Sequence, residues 1–174
     1  MTEIHDNPCI ECIKISKYGC CTIKGSCGLM LTNDEYDRHF KRHSKDLVIW
    51  QSNKFYKISS QEGRVCPHFE NGGCRIYHER PLDCRLYPYV MRRFITRGTK
   101  VKIVFHTKSD CPDKTTMYKI TPETKARALI IAFGKKVYGE NTAIIVRHEK
   151  GVLSRVMYRI ETTISRCFWR HDKN

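Results

Sequence analysis

Residues 66–88 read CPHFENGGCRIYHERPLDCRLYP. Cys66, Cys74 and Cys84 are spaced C-x7-C-x9-C, Gly72 and Gly73 precede the second cysteine, and Arg75 and Arg85 follow the last two. This is the pattern of a metal-binding knuckle. A thiolate ligand turns inward with the backbone N–H groups of its neighbours aimed at sulfur, and glycines permit the tight backbone that this needs. The alternative for three cysteines alone is that they act as small hydrophobes, since unliganded Cys is among the most buried residue types. Pro81 suits the first turn of a short helix that presents Cys84 and Arg85.

Working outward, the N-terminal stretch holds a second group: Cys9, Cys12, the adjacent Cys20 and Cys21, and Cys27. The chain has 174 residues, which predicts one domain (1–174) large enough to bury a core without covalent staples. The longest apolar runs, ALIIAF and AIIV, are far too short for a membrane-spanning helix. The opening MTEIHDNPC lacks the charged-then-apolar pattern of a secretory signal, so the expected location is cytoplasmic. Disulfides are rare there, and ten cysteines read first as metal ligands or redox groups.

The two groups together carry a resemblance. Cys9-x2-Cys12-x7-Cys20-Cys21, then Leu29-Met-Leu31-Thr32-Asn-Asp-Glu35, then Cys66-x7-Cys74-x-Ile76-Tyr77-x2-Arg80-Pro81-x2-Cys84-Arg85-x-Tyr87-Pro88 resembles the CxxCxxCC family, also called the YkgJ-like cysteine cluster proteins. That family is described as a zinc- or iron-chelating domain. The resemblance covers about residues 9–112, its second half being the more specific. Seven residues separate Cys12 from Cys20, where the family pattern has two. Proline after a last cysteine recurs in iron–sulfur runs, and a Cys-Pro recurs at the place of Cys111-Pro112 in the family. The expected metal ligands are therefore Cys9, Cys12, Cys20, Cys21, Cys66, Cys74, Cys84 and Cys111. Eight thiolates serve either two tetrahedral zinc sites or one iron–sulfur cluster with accessory thiols, and the partition of ligands stays open. Consecutive side chains diverge, so Cys20 and Cys21 suggest two neighbouring metals, or one ligand beside a second thiol. Cys27 and Cys167 have no place in the pattern and are expected to be packing or surface thiols.

Around the knuckle, Arg75, Arg80 and Arg85 could offset thiolate charge, although solvated arginine is the default. His68 and His78 could donate to ligands from behind, or be ordinary hydrogen-bonded loop histidines. Charge is unevenly spread. Residues 1–87 carry 13 Lys+Arg against 11 Asp+Glu, and residues 88–174 carry 19 against 7, so nearly all of the net +14 lies in the second half. That half suits nucleic acid, an acidic protein or an anionic substrate.

The rest of the chain predicts an α+β fold with short hairpins and two or three helices around the cysteine-rich region, followed by a basic α/β part over about 113–174. Thr32 and Glu35 form a capping box for a polar helix over about 33–45, with Tyr36 and Phe40 on its inner face. LVIWQ and KFYKI, separated by Ser52-Asn53, read as one hairpin, and YVMRRFI and KVKIVFH around Thr96-Arg97-Gly98-Thr99 as another. In the last run Val101, Ile103 and Phe105 alternate with Lys100, Lys102 and Val104, a strand with one polar face. Thr121-Pro122-Glu123 starts a helix that ends near Tyr138-Gly139, TAIIVR is a strand, and the apolar series from Val152 to Phe168 favours a final helix over a strand.

Three functional readings follow. The first is a metal-binding protein, structural or redox-sensing, whose basic surface meets a polyanion or acidic protein. The second comes from the resemblance: relatives by the cysteine cluster are implicated in methylating lysines of flagellin, which implies an iron–sulfur or methyltransferase-like enzyme. The third is nucleic-acid binding, on charge and on aromatics interleaved with lysine and arginine. No glycine-rich phosphate loop, nucleophile elbow or H-E-x-x-H pair is present, and no residue is singled out as catalytic.

Overall fold

A computed structural model describes residues 28–61, 64–71, 73–107 and 114–149. The expectations for Cys9, Cys12, Cys20, Cys21, Cys27, Cys111 and Cys167, and for the final helix, lie outside the described residues.

The alternation around Val101, Ile103 and Phe105 builds the larger part of the α+β fold. Tyr89–Arg97 and Lys100–Thr107 (β6 and β7 in chain order) form an antiparallel hairpin closed at Gly98, whose φ of +57° suits a residue without Cβ. The register shifts between Met91 and Arg93, a bulge that keeps Met91 and Phe94 on one face. The chain then passes through two helices, Lys114–Ile120 (α3) and Glu123–Tyr138 (α4), and returns as Ala143–His148 (β8), parallel to β7. The strand at 143–148 is thus as expected, and its parallel pairing follows from the crossover that the two helices make. Helix α3 has no counterpart among the sequence expectations.

Helix α4 lies against this sheet. Ala126, Leu129, Ile130, Phe133 and Val137 recur at helical spacing and meet Val101, Ile103 and Phe105 in one buried cluster. The contact is close: a Cβ on Gly134 would stand 2.9 Å from Ile144 Cδ1 and 3.0 Å from Ile103 Cδ1. Thr121 does not cap the helix as expected. Its hydroxyl instead donates to the Arg85 carbonyl at 3.4 Å, joining the start of α4 to Leu82–Leu86 (α2).

A second core lies under the first hairpin. Leu47–Gln51 (β2) and Tyr56–Ser60 (β3) pair antiparallel, and Leu29–Leu31 (β1) adds to the far side of β3. Leu31, Leu47 and Ile58 close on Tyr36 and Phe40. Those two rings sit on the expected inner face, but the helical run is not one α-helix. Asn33–Glu35 (α1) continues as a π-helix over Tyr36–Phe40 and a 3-10 helix over Lys41–Asp46. The capping box is present: Glu35 N–H donates to Thr32 Oγ1 (3.3 Å), and Thr32 N–H donates to Glu35 Oε2 (2.9 Å).

Candidate metal centre

The knuckle is a small hairpin. Cys66 opens a turn in which Phe69 N–H donates to the Cys66 carbonyl at 2.9 Å, and Phe69–Glu70 (β4) then pairs with Gly73–Cys74 (β5). Asn71 turns the chain with φ of +48°, a conformation that asparagine tolerates better than most residues. Phe69 and Cys74 are register partners, so the second thiol is brought back beside the first. Burial pushes the Cys66 thiol up to about 11, the backbone N–H of His68 aimed at its sulfur pulls the other way, and Cys74 adds to the rise. An N–H pointing at sulfur and a second sulfur close by are what a knuckle ligand pair needs. Cys66 also packs against the Leu31–Ile58 core, so it is a hydrophobe as well.

Cys84 is placed by α2, whose Leu82 and Leu86 turn into the other core, the one under α4. Among the described residues no three His, Cys, Asp or Glu side chains gather as a metal site would need. The pair Cys66 and Cys74 is therefore what the described residues bring together, and the other expected ligands of the N-terminal group and Cys111 lie outside them.

His68 is the anchor of the hairpin. Its ring is 1% exposed, and Nε2 donates to the His39 carbonyl at 2.8 Å. That bond fixes the tautomer, leaving Nδ1 as acceptor toward Arg75 Nη2 at 3.5 Å. Burial, assisted by the nearby His43, Arg75 and His39, lowers the His68 pKa, although the bond to His39 acts in the opposite sense. The ring is neutral at physiological pH and joins the knuckle to the π-helix. Arg75 also approaches Glu70 at 3.9 Å, and Arg80 donates from Nε to the Tyr77 carbonyl at 2.8 Å with its guanidinium 3.7 Å from the Tyr77 ring centre. His78, edge-on to Tyr77, is exposed.

Two carboxylates, one of them on α2 itself, tie that helix to α1 and β1. Glu35 Oε1 accepts from the Leu82 N–H at 2.7 Å, so the residue that closes the capping box also caps the helix bearing Cys84. Asp83 accepts from the Met30 N–H at 2.8 Å. Burial pushes the Asp83 carboxyl up to about 7, against the pull of the Met30 bond, with Glu35 raising it and Lys57 lowering it.

A third polar cluster was not foreseen from the sequence. His148 Nδ1 lies 2.9 Å from Glu123 Oε2, its Nε2 lies 3.3 Å from Thr107 Oγ1, and its ring stacks on Phe105 at 4.5 Å. Arg127 holds the other Glu123 oxygen through Nε at 3.0 Å and Nη2 at 2.8 Å. The group ties the ends of β7 and β8 to the start of α4. An open cleft of about 610 Å³ lies at the opposite end of that sheet, between Phe55, Thr96 and Tyr138, and among the described residues no Cys, His, Asp or Glu lines it.

No protein-family model, no curated protein and no solved structure matches the chain.

Proposed function

We propose that the protein is a thiolate metal-binding protein, carrying zinc or an iron–sulfur cluster in a structural or redox-sensing role, with a basic surface for a partner. The observation that carries the reading is the Cys66–Cys74 pair, with the His68 N–H aimed at the Cys66 sulfur. Cys66 and Cys74 would hold the metal from the hairpin side. The remaining ligands would come from Cys9, Cys12, Cys20, Cys21, Cys84 and Cys111, as the resemblance to the cysteine cluster family implies. When bound, zinc would supply cross-linking of the chain and an iron–sulfur cluster an electron-accepting centre. His68 would hold the hairpin against the π-helix, and Glu35 would hold the helix that presents Cys84.

Metal and acid-labile sulfide analysis of anaerobically purified protein tests this directly. Stoichiometric zinc, or iron with sulfide, is expected, and Cys66→Ser and Cys74→Ser should each lower the content while far-ultraviolet circular dichroism stays that of the wild type. Protein that folds and carries neither metal would refute the reading.

A further inference from the structure

The register of the β6–β7–β8 sheet divides its side chains between two faces, and Val104, on the face away from α4, is fully buried as well. Met91, Phe94, Ile103, Phe105, Ile144 and Val146 belong to the core under α4. Alternate positions face the other way, and the cross-strand rows there read Arg93, Val104, Arg147; then Ile95, Lys102, Ile145; then Arg97, Lys100, Ala143. One of these cations is engaged close to the sheet, Arg93 pairing with Glu149, and beside it Arg92 Nε lies 3.0 Å from His106 Nε2. Arg97, Lys100, Lys102 and Arg147 form no ion pair among the described residues. Ile95 and Ile145, 37% and 49% exposed, flank Lys102.

We propose that this sheet face binds single-stranded nucleic acid, with Arg97, Lys100, Lys102 and Arg147 on phosphates and Ile95 and Ile145 against sugar and base faces. The proposal stands apart from the metal reading. Cations spread in rows over a flat sheet, with neighbouring strands about 4.8 Å apart and same-face neighbours along a strand about 6.7 Å apart, suit an extended chain of anions better than one phosphate. The two isoleucines decide which polyanion. In a duplex the base faces are stacked away inside the helix, whereas a single strand exposes them to apolar side chains. A membrane-binding surface would be expected to offer Trp, Phe or Leu beside its cations, and this face carries none among the described residues. The same lack of aromatic platforms means little stacking, so recognition is base-tolerant and modest in affinity.

The test is fluorescence anisotropy with the full chain as purified, using labelled oligo(dT) and oligo(rU) twenty nucleotides long over a range of salt. Four phosphate contacts on a single strand give a log–log salt slope of about −2.8, which is about a fiftyfold loss of affinity from 50 to 200 mM salt. The double variant Lys100→Ala/Lys102→Ala should halve that slope. Ile95→Ser/Ile145→Ser should weaken strand binding several-fold with the slope unchanged, and heparin binding should not respond to it. Thermal melts of both variants confirm that they fold. No binding at 20 mM salt overturns the proposal. So does affinity for a matched duplex, heparin or phosphatidylserine vesicles equal to or above that for the single strand, or a salt slope unaltered in the lysine variant.

Discussion

His68 shows how one side chain fixes a local arrangement. It gives its only ring proton to the carbonyl of His39, itself a buried residue, and receives Arg75 on the other nitrogen. His68→Leu keeps the apolar volume but leaves that carbonyl unpaired, and should cost about 2–3 kcal/mol, while a glutamine that can donate to it should recover part of the loss. Chemical denaturation of the two variants compares them, and equal losses would mean that packing rather than the bond matters. His106 answers to pH instead. Burial, then Arg92, then His148, push it from 6.5 down to about 4. The folded protein keeps the ring neutral where the unfolded chain takes up a proton. Its contribution is therefore whole above about pH 6.5 and is lost as pH falls toward about 4. In His106→Gln the denaturation midpoint should change less unfavourably from pH 7 to pH 5 than in the wild type; of the slope that remains, His39 and His68, both lowered by burial, lose stability as pH falls, and Asp83, raised to about 7, gains it. An unchanged difference between the two pH values would show that folding does not lower the His106 pKa.

At the scale of elements, Glu35 is the joint between α1, β1 and α2. Its carboxylate accepts from the Thr32 N–H, the Thr32 hydroxyl and the Leu82 N–H, the last of these 47 positions away along the chain. Glu35→Ala should cost roughly 2–4 kcal/mol, against about 1 for Thr32→Ala, which loses the cap alone. Relief of Asp83, whose carboxyl Glu35 raises, offsets a little of this. If the two variants prove equally stable, the link to Leu82 contributes nothing. The capping box itself was legible in the sequence because its spacing is local, and so were both hairpins, the first from β-rich runs on either side of Ser52-Asn53 and the second from the alternation over 100–105 and from Gly98. The π-helix was not legible, since no residue pattern separates it from an α-helix with Tyr36 and Phe40 on one face. Thr121 looked like a cap, but burial next to Arg85 gave its hydroxyl a different partner. The Thr107–His148–Glu123 cluster was out of reach because its members, 41 and 25 positions apart, meet only through the parallel β7–β8 register and the crossover helix.

At the scale of the whole molecule, the described residues form two apolar cores, and a cysteine packs against one of them. Cys66 packs against the Leu31–Ile58 core, whereas the core between α4 and the β6–β8 sheet, which includes Met30 and Met91, holds no cysteine among the described residues. The sequence pointed to the thiols as the organising centre, and composition alone could not show that the larger core closes without them. If a metal joins Cys66 and Cys74 to the other expected ligands, its binding energy belongs to the folding of the part it ties together, and its removal should loosen that part first. Chelation under reducing conditions should therefore speed amide exchange in β1, β2 and β3 and in the hairpin of Phe69 and Cys74. Ile103, Phe105, Ile130 and Phe133, all fully buried under α4, should keep their protection. Exchange unchanged throughout would remove the coupling of metal to fold. Uniform acceleration would show instead that the two cores unfold as one unit, with Met30 on β1, which lies in the α4 core while its neighbour Leu31 lies in the other, as the strand that transmits the loss.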